Sequence, residues 1–249
     1  MNDCSRRKFL ALIAAGAATV GTPHLAGAQS TELRLGFFPF PPFNSMVAGR
    51  PSGSVIDQFS ALAQEAGYTW RAEEVPVLRL RADMARGALN VAIITNRYPD
   101  LQTTTIWSKE PVDEVILEAY SVGRSPDISK NEDLAGKSVI LNLGYSYAGV
   151  RPFIEDTANR VAIAGEAPTP EAALRMLQAG RAPILLHYRG SIREAQRTVQ
   201  VPNLQSSVLQ RIPIFIVVSK ATPNAEKVLA DLEAALAKLK ANGRITPAS

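Results

Sequence analysis

From residue 32 onward, short apolar runs alternate with amphipathic stretches. "ELRLGFF" (32–38) alternates polar and apolar positions and then turns wholly apolar, as a strand entering a core does. Pro, Gly, Ser and Asn over 39–54 break every period, which predicts a loop. Val55, Ile56, Phe59, Leu62, Ala63 and Ala66 then recur at helical spacing, with Gly67 as the stop. A strand is predicted over 69–76, a helix over 78–88 closing near Gly87, and a strand over 89–95.

The second half repeats this grammar. Strands are predicted at 137–143, 160–165 and 182–188, and helices at 146–158 and 169–180, the latter with Thr169 as N-cap and Pro170 in the first turn. Long extended segments lie at 114–125 and 209–220. A closing helix from about Pro223 to Asn242 carries Leu229, Leu232, Leu236 and Leu239 on one face. Strands alternating with helices imply an α/β fold with a parallel, helix-covered sheet, and two sets of the pattern imply two lobes.

The N-terminus changes how the composition is read. "SRRKFLALIAAGAATVGTPHLAGA" has a basic start, an apolar core from Phe9 to Ala18 and an Ala26-Gly27-Ala28 exit, so residues 1–28 read as a signal peptide. Arg6 and Arg7, with Ser5 before them and Phe9 and Leu10 after, resemble the twin-arginine export motif, and the expected location is the periplasm. Cleavage would leave 221 of the 249 residues and remove Cys4 and His24. With no cysteine and His187 as its one histidine, the mature chain is expected to hold no disulfide, no thiol nucleophile, no metal and no cofactor. The signal also takes Arg6, Arg7, Lys8 and Asp3, so a net charge of +4 becomes +2, too little for a nucleic-acid footprint.

Two places carry candidate chemistry. The apolar Val91–Ile94 runs straight into Thr95, Asn96 and Arg97, with Pro99 beyond. An arginine there is either an ordinary loop residue or a clamp, because its planar fork fits a carboxylate and open α/β sheets bind ligands past the carboxyl ends of their strands. Gly144, Tyr145 and Ser146 follow one predicted strand and precede a predicted helix, where free amides and a hydroxyl suit an anion; Ser146 as a plain cap is the alternative. Enzyme chemistry finds less support. Asp57, Glu155, Asp156 and His187 have no second catalytic group at a recognisable spacing, and no Gly-x-Ser-x-Gly occurs, so no catalytic residue is assigned.

The order of these features resembles the periplasmic solute-binding proteins of ABC importers, polar amino-acid type, across residues 31–245. The features are Pro42-Phe43, Gly53 and Asp57 at the first helix, Thr95-x-Arg97 with Pro99, Trp107-Ser108 and Pro111, "LAGKSVILNLGYS", "ALRMLQAGRAPILL" and "IPIFIVVSK". The resemblance implies a type II fold with two crossover strands, lobe one being residues 29–120 with 212–249 and lobe two 121–211. It implies that Thr95 and Arg97 hold a ligand carboxylate, that Tyr145 and Ser146 approach it from lobe two, and that Phe43 and Trp107 wall the ligand, Phe40 being as readily a core ring. The acid that such proteins use for a ligand ammonium falls on Tyr188, between His187 and Arg189. A lost acid leaves an ammonium unpaired, so an organic acid competes on level terms with an amino acid. Tyr188 would offer a hydrogen bond and Arg189 would favour a second anionic group. The implied partners are a small anionic or zwitterionic solute and an inner-membrane ABC permease, with a monomeric protein closing near 119–123 and 209–213. A stand-alone sensor or dehydrogenase accessory is the alternative, and an enzyme on the same fold the least favoured.

Overall fold

Leu33, Leu35 and Phe37, the alternate residues of the first predicted strand, are all buried in β1 (Leu33–Phe37). The computed structural model describes residues 32–245, so the expected signal at residues 1–28 lies outside the described residues. The loop that follows β1 holds a small hairpin, β2 (Ser45–Val47) and β3 (Arg50–Ser52). Next come α1 (Ser54–Glu65), β4 (Trp70–Glu74), α2 (Val77–Ala85) and β5 (Val91–Thr95), each within a few residues of its predicted place. A single turn, α3 (Leu101–Thr104), leads to β6 (Thr105–Trp107) and then to the long β7 (Asp113–Val122).

The second lobe comprises β8 (Ser138–Asn142), α4 (Arg151–Glu155), β9 (Ala162–Ala167), α5 (Pro170–Gln178), β10 (Ile184–Tyr188) and α6 (Arg189–Ala195). Thr169 caps α5 by accepting from the Ala172 amide at 3.2 Å, with Pro170 opening the helix. The chain then returns through β11 (Leu204–Ser219) to α7 (Ala225–Ala241), whose Leu229, Leu232, Leu236 and Leu239 are all buried. Burial of each such side chain contributes roughly 1.5–3 kcal/mol.

One nine-stranded sheet runs through both lobes in the order β4-β1-β5-β11-β7-β10-β8-β9, with β6 added beside β11. Within each lobe the pairs β1–β4, β1–β5, β8–β9 and β10–β8 are parallel. The joints are antiparallel: β11 pairs β5 from Ile214 to Val218, β7 pairs β10 from Leu117 to Tyr120, and the whole of β7 pairs β11 from Leu204 to Ile214. Their register shifts between Val208 and Gln210, a bulge at Leu209 inside the crossing ribbon.

The expected helix over 146–158 is the main departure. Tyr147 and Ala148 take φ of 52° and 51°, and regular helix begins only at Arg151 and ends at Glu155. Tertiary anchoring overrides the local pattern here. The Tyr147 ring is fully buried and its hydroxyl accepts from the Asn142 amide, which bends the chain back under the end of β8. The anion-binding helix start expected at Ser146 is therefore an irregular turn.

Candidate functional site

A cavity of about 630 Å³ lies between the lobes, reached by the carboxyl ends of β1, β5 and β8 and by Tyr188 at the end of β10. Its first wall is the loop after β1. Asn44 donates to the Phe38 carbonyl, Phe40 and Asn44 exchange backbone hydrogen bonds at 2.8 and 3.1 Å, and the first amides of α1 are used up on this loop, Val55 N reaching the Phe43 carbonyl at 2.9 Å. Gly53 makes that seating possible: its φ is 121°, and a Cβ would lie 2.4 Å from the Phe43 carbonyl oxygen. The loop presents Phe40 stacked on Phe43, with centroids 4.8 Å apart.

The second wall comes from the end of β5. Thr95 lines the cavity, and its buried hydroxyl has no hydrogen-bond partner. Arg97 also lines it, exposed, with one Nη2 hydrogen bond to Gln210 Oε1 at 3.2 Å. Among the described residues no carboxylate pairs with Arg97. Its other terminal nitrogen lies 3.4 Å from where a Cβ on Gly149 would sit, so the guanidinium reaches the turn of the second lobe.

That turn and the end of β10 form the third wall. Tyr145, Ser146, Ala148, Gly149 and Tyr188 line the cavity. Phe40 meets Tyr188 edge-on at 5.0 Å and Tyr145 at 6.0 Å, so rings from both lobes touch. Phe43 presses on Gly190, where a Cβ would come within 2.8 Å of the ring. Burial pushes the Tyr188 phenol well above its ordinary pKa, with Arg97 near enough to oppose the rise, so Tyr188 serves as a neutral donor or acceptor. Burial raises Tyr145 as well.

Six of the seven residues singled out in the sequence thus share one cavity: Arg97, Thr95, Ser146, Tyr145, Phe43 and Tyr188. Trp107 is not among them. Its strand β6 pairs on β11, opposite Val217, and its ring packs on Phe215 at 6.4 Å in the first lobe's core. The Ser146 hydroxyl makes no cap hydrogen bond. Arg189, expected to favour a second anionic group, is committed elsewhere: its Nε and Nη2 lie 3.0 and 2.7 Å from Glu118 Oε1. Glu118 is buried and also accepts from Tyr120 and Ser206.

His187 is fully buried opposite Glu118 on β7. Desolvation lowers its pKa from 6.5 to about 4, against the charge of Glu171, and its Nδ1 accepts from the Tyr188 amide at 2.8 Å. Phe38, Tyr98 and the isoleucines of β5 and β11 also line the cavity and were missed in the sequence. The alternation of β11 marks Ile212 and Ile214 as inward residues, a signal that was present. Among the described residues no group of three or more His, Cys, Asp and Glu side chains could hold a metal ion, and no helix is long and apolar enough to cross a membrane.

The chain matches no family model and no curated protein. Solved structures do resemble it. The GluR0 ligand-binding core in complex with L-glutamate aligns with a TM-score of 0.64 at 16% identity, over 87% of this chain and 96% of that one. The probable amino-acid ABC transporter extracellular-binding protein YtmK of Bacillus subtilis aligns at 0.67 and 15%, over 87% and 95%. A histidine kinase sensor domain with similarity to periplasmic binding proteins aligns at 0.61 and 20%, over 86% and 92%. At these identities the likeness is one of fold: the chain has the α/β fold of the two-lobed periplasmic binding proteins.

Proposed function

We propose that this is an exported solute-binding protein that closes its two lobes over a small carboxylate-bearing solute and hands it to an ABC importer. The observation that carries this reading is Arg97. It is a guanidinium on the wall of an inter-lobe cavity, held by one neutral amide and lacking a carboxylate partner among the described residues. Thr95, with its unpartnered hydroxyl, stands beside it, and Tyr145, Ser146 and Tyr188 face it from the second lobe. Phe43 contributes an apolar wall. Closure would turn on the ribbon of β7 and β11, where β11 joins β5 from Ile214 and β7 joins β10 from Leu117. The lobes then divide on this ribbon, near residues 120 and 212.

Binding is favoured over catalysis because the cavity lining holds no Asp, Glu, His, Lys or Cys to move a proton or attack a substrate. A sensor role is the second reading, supported by the likeness to a kinase sensor domain. Both roles use the same closure. Uptake of labelled solute separates them, being lost on deletion of the gene for a transporter component and retained for a sensor.

The anchor is tested with Arg97→Ala. Charge-assisted hydrogen bonds contribute about 1.5–3 kcal/mol, so affinity for the best carboxylate found by thermal-shift screening is expected to fall roughly 10- to 150-fold in calorimetry. The unliganded melting temperature should stay put. Unchanged affinity would show that Arg97 is not the anchor.

A further inference from the structure

The lining constrains the solute beyond its carboxylate, on the reading that Arg97 is the anchor. A cavity of about 630 Å³ falls in the range that takes drug-sized ligands, far larger than a two-carbon acid needs. Its surface is dominated by rings and branched aliphatics. Phe38, Phe40 and Tyr98 come from the first lobe, Tyr145 and Tyr188 from the second, and Ile212 from β11. The rings already meet one another in stacked and edge-on pairs, the geometry in which a further ring is well received.

The charges available are equally restrictive. Arg97 is the single charged residue among those lining the cavity. No lining carboxylate is present for an ammonium group, and an ammonium buried without a partner carries a large desolvation penalty. Glu118, the buried acid of the second lobe, has its oxygens occupied by Arg189, Tyr120 and Ser206. The same pairing withholds Arg189 from a second ligand carboxylate. We propose that the solute is an aromatic monocarboxylate with no ammonium group: an aryl ring among the side-chain rings, and one carboxylate on Arg97, Thr95 and Ser146.

The test is calorimetric titration of the purified protein with four probes. 3-Phenylpropionate and L-phenylalanine share a skeleton and differ by the ammonium group alone. Succinate supplies a second carboxylate, and glycine betaine a quaternary ammonium that ring faces could hold. The expected result is that 3-phenylpropionate binds at least tenfold tighter than each of the others, and that Arg97→Ala, melting like the unaltered protein, loses at least tenfold of that affinity. Equal or tighter binding of L-phenylalanine overturns the exclusion of the ammonium. Succinate or betaine as the best probe, or no binding of any, overturns the aromatic class. If one of those other probes binds in an Arg97-dependent way, the carboxylate anchor survives while this inference fails. If 3-phenylpropionate binds equally well to Arg97→Ala, the anchor itself is wrong.

Discussion

Two strands of the sheet, β5 in the first lobe and β10 in the second, end in the same way, with an arginine just past the last paired residue. Arg97 follows β5 and Arg189 follows β10. Their surroundings differ in one respect that decides their chemistry. Arg189 meets Glu118, buried on β7, and puts two nitrogens on one carboxylate oxygen. Arg97 meets only the amide of Gln210. An arginine at a strand end is thus committed to a structural ion pair or left open to a ligand according to what the neighbouring strand carries, and β7 carries an acid where β11 carries an amide.

The largest effect that separates the two should come from Arg189→Ala. Glu118 has 5% of its side chain exposed, so the substitution leaves a buried carboxylate uncompensated, at an expected cost of about 3–5 kcal/mol in urea denaturation at neutral pH. The double substitution of Arg189 and Glu118 by Met and Leu should recover most of that loss, because apolar side chains of similar volume need no pairing. Arg97→Ala should change stability by less than about 0.5 kcal/mol. A loss under about 1 kcal/mol for Arg189→Ala would erase the distinction between the arginines.

Next in size is the acid response of His187, which reports how dry the end of β10 is. Its pKa is about 4 in the fold and about 6.5 when exposed, so the unfolded chain takes up the proton first. The contribution is present in full above pH 6.5 and is lost progressively as pH falls to about 4, in total roughly 3 kcal/mol. The charge of Glu171 opposes the shift and does not reverse it. Stability curves between pH 7 and 4 should flatten by about that amount in His187→Gln. An unchanged slope would mean that water reaches this strand end as it does the one at Arg97.

Much of this arrangement was legible in local patterns. The alternation of β1, the amphipathic spacing of α1, α5 and α7, and the apolar runs of β5, β8 and β10 are set by burial on one face or both, which periodicity reports directly. Arg97 and Thr95 were visible because β5 ends where the apolar run ends. What escaped depends on contacts remote in sequence. The Glu118–Arg189 pair spans 71 residues, and no local period marks it. The helix expected at 146–158 fails because Tyr147 is anchored at Asn142, and α6, beginning with Arg189 and Gly190, carries no start signal. Trp107 looked like a pocket ring until β6 added to β11 and turned it onto Phe215.

The smallest expected effect is also the most direct exchange of the two environments. Gln210→Glu places a carboxylate where Arg97 now meets an amide at 3.2 Å, which gives Arg97 the private partner that Arg189 already has. Arg97 is exposed, so the new pair should stabilise the unliganded protein by only about 0.2–1 kcal/mol. On the proposed binding mode, a solute must displace the pair, and its carboxylate must also approach a second negative charge. Affinity should therefore fall by roughly 1.5- to 5-fold in calorimetry at low salt, with the loss shrinking as salt rises to about 1 M, where the screening length is about 3 Å. Tighter binding in Gln210→Glu would mean that the solute presents a cation at this wall, and the contrast between the two strand ends would then have to be drawn the other way round.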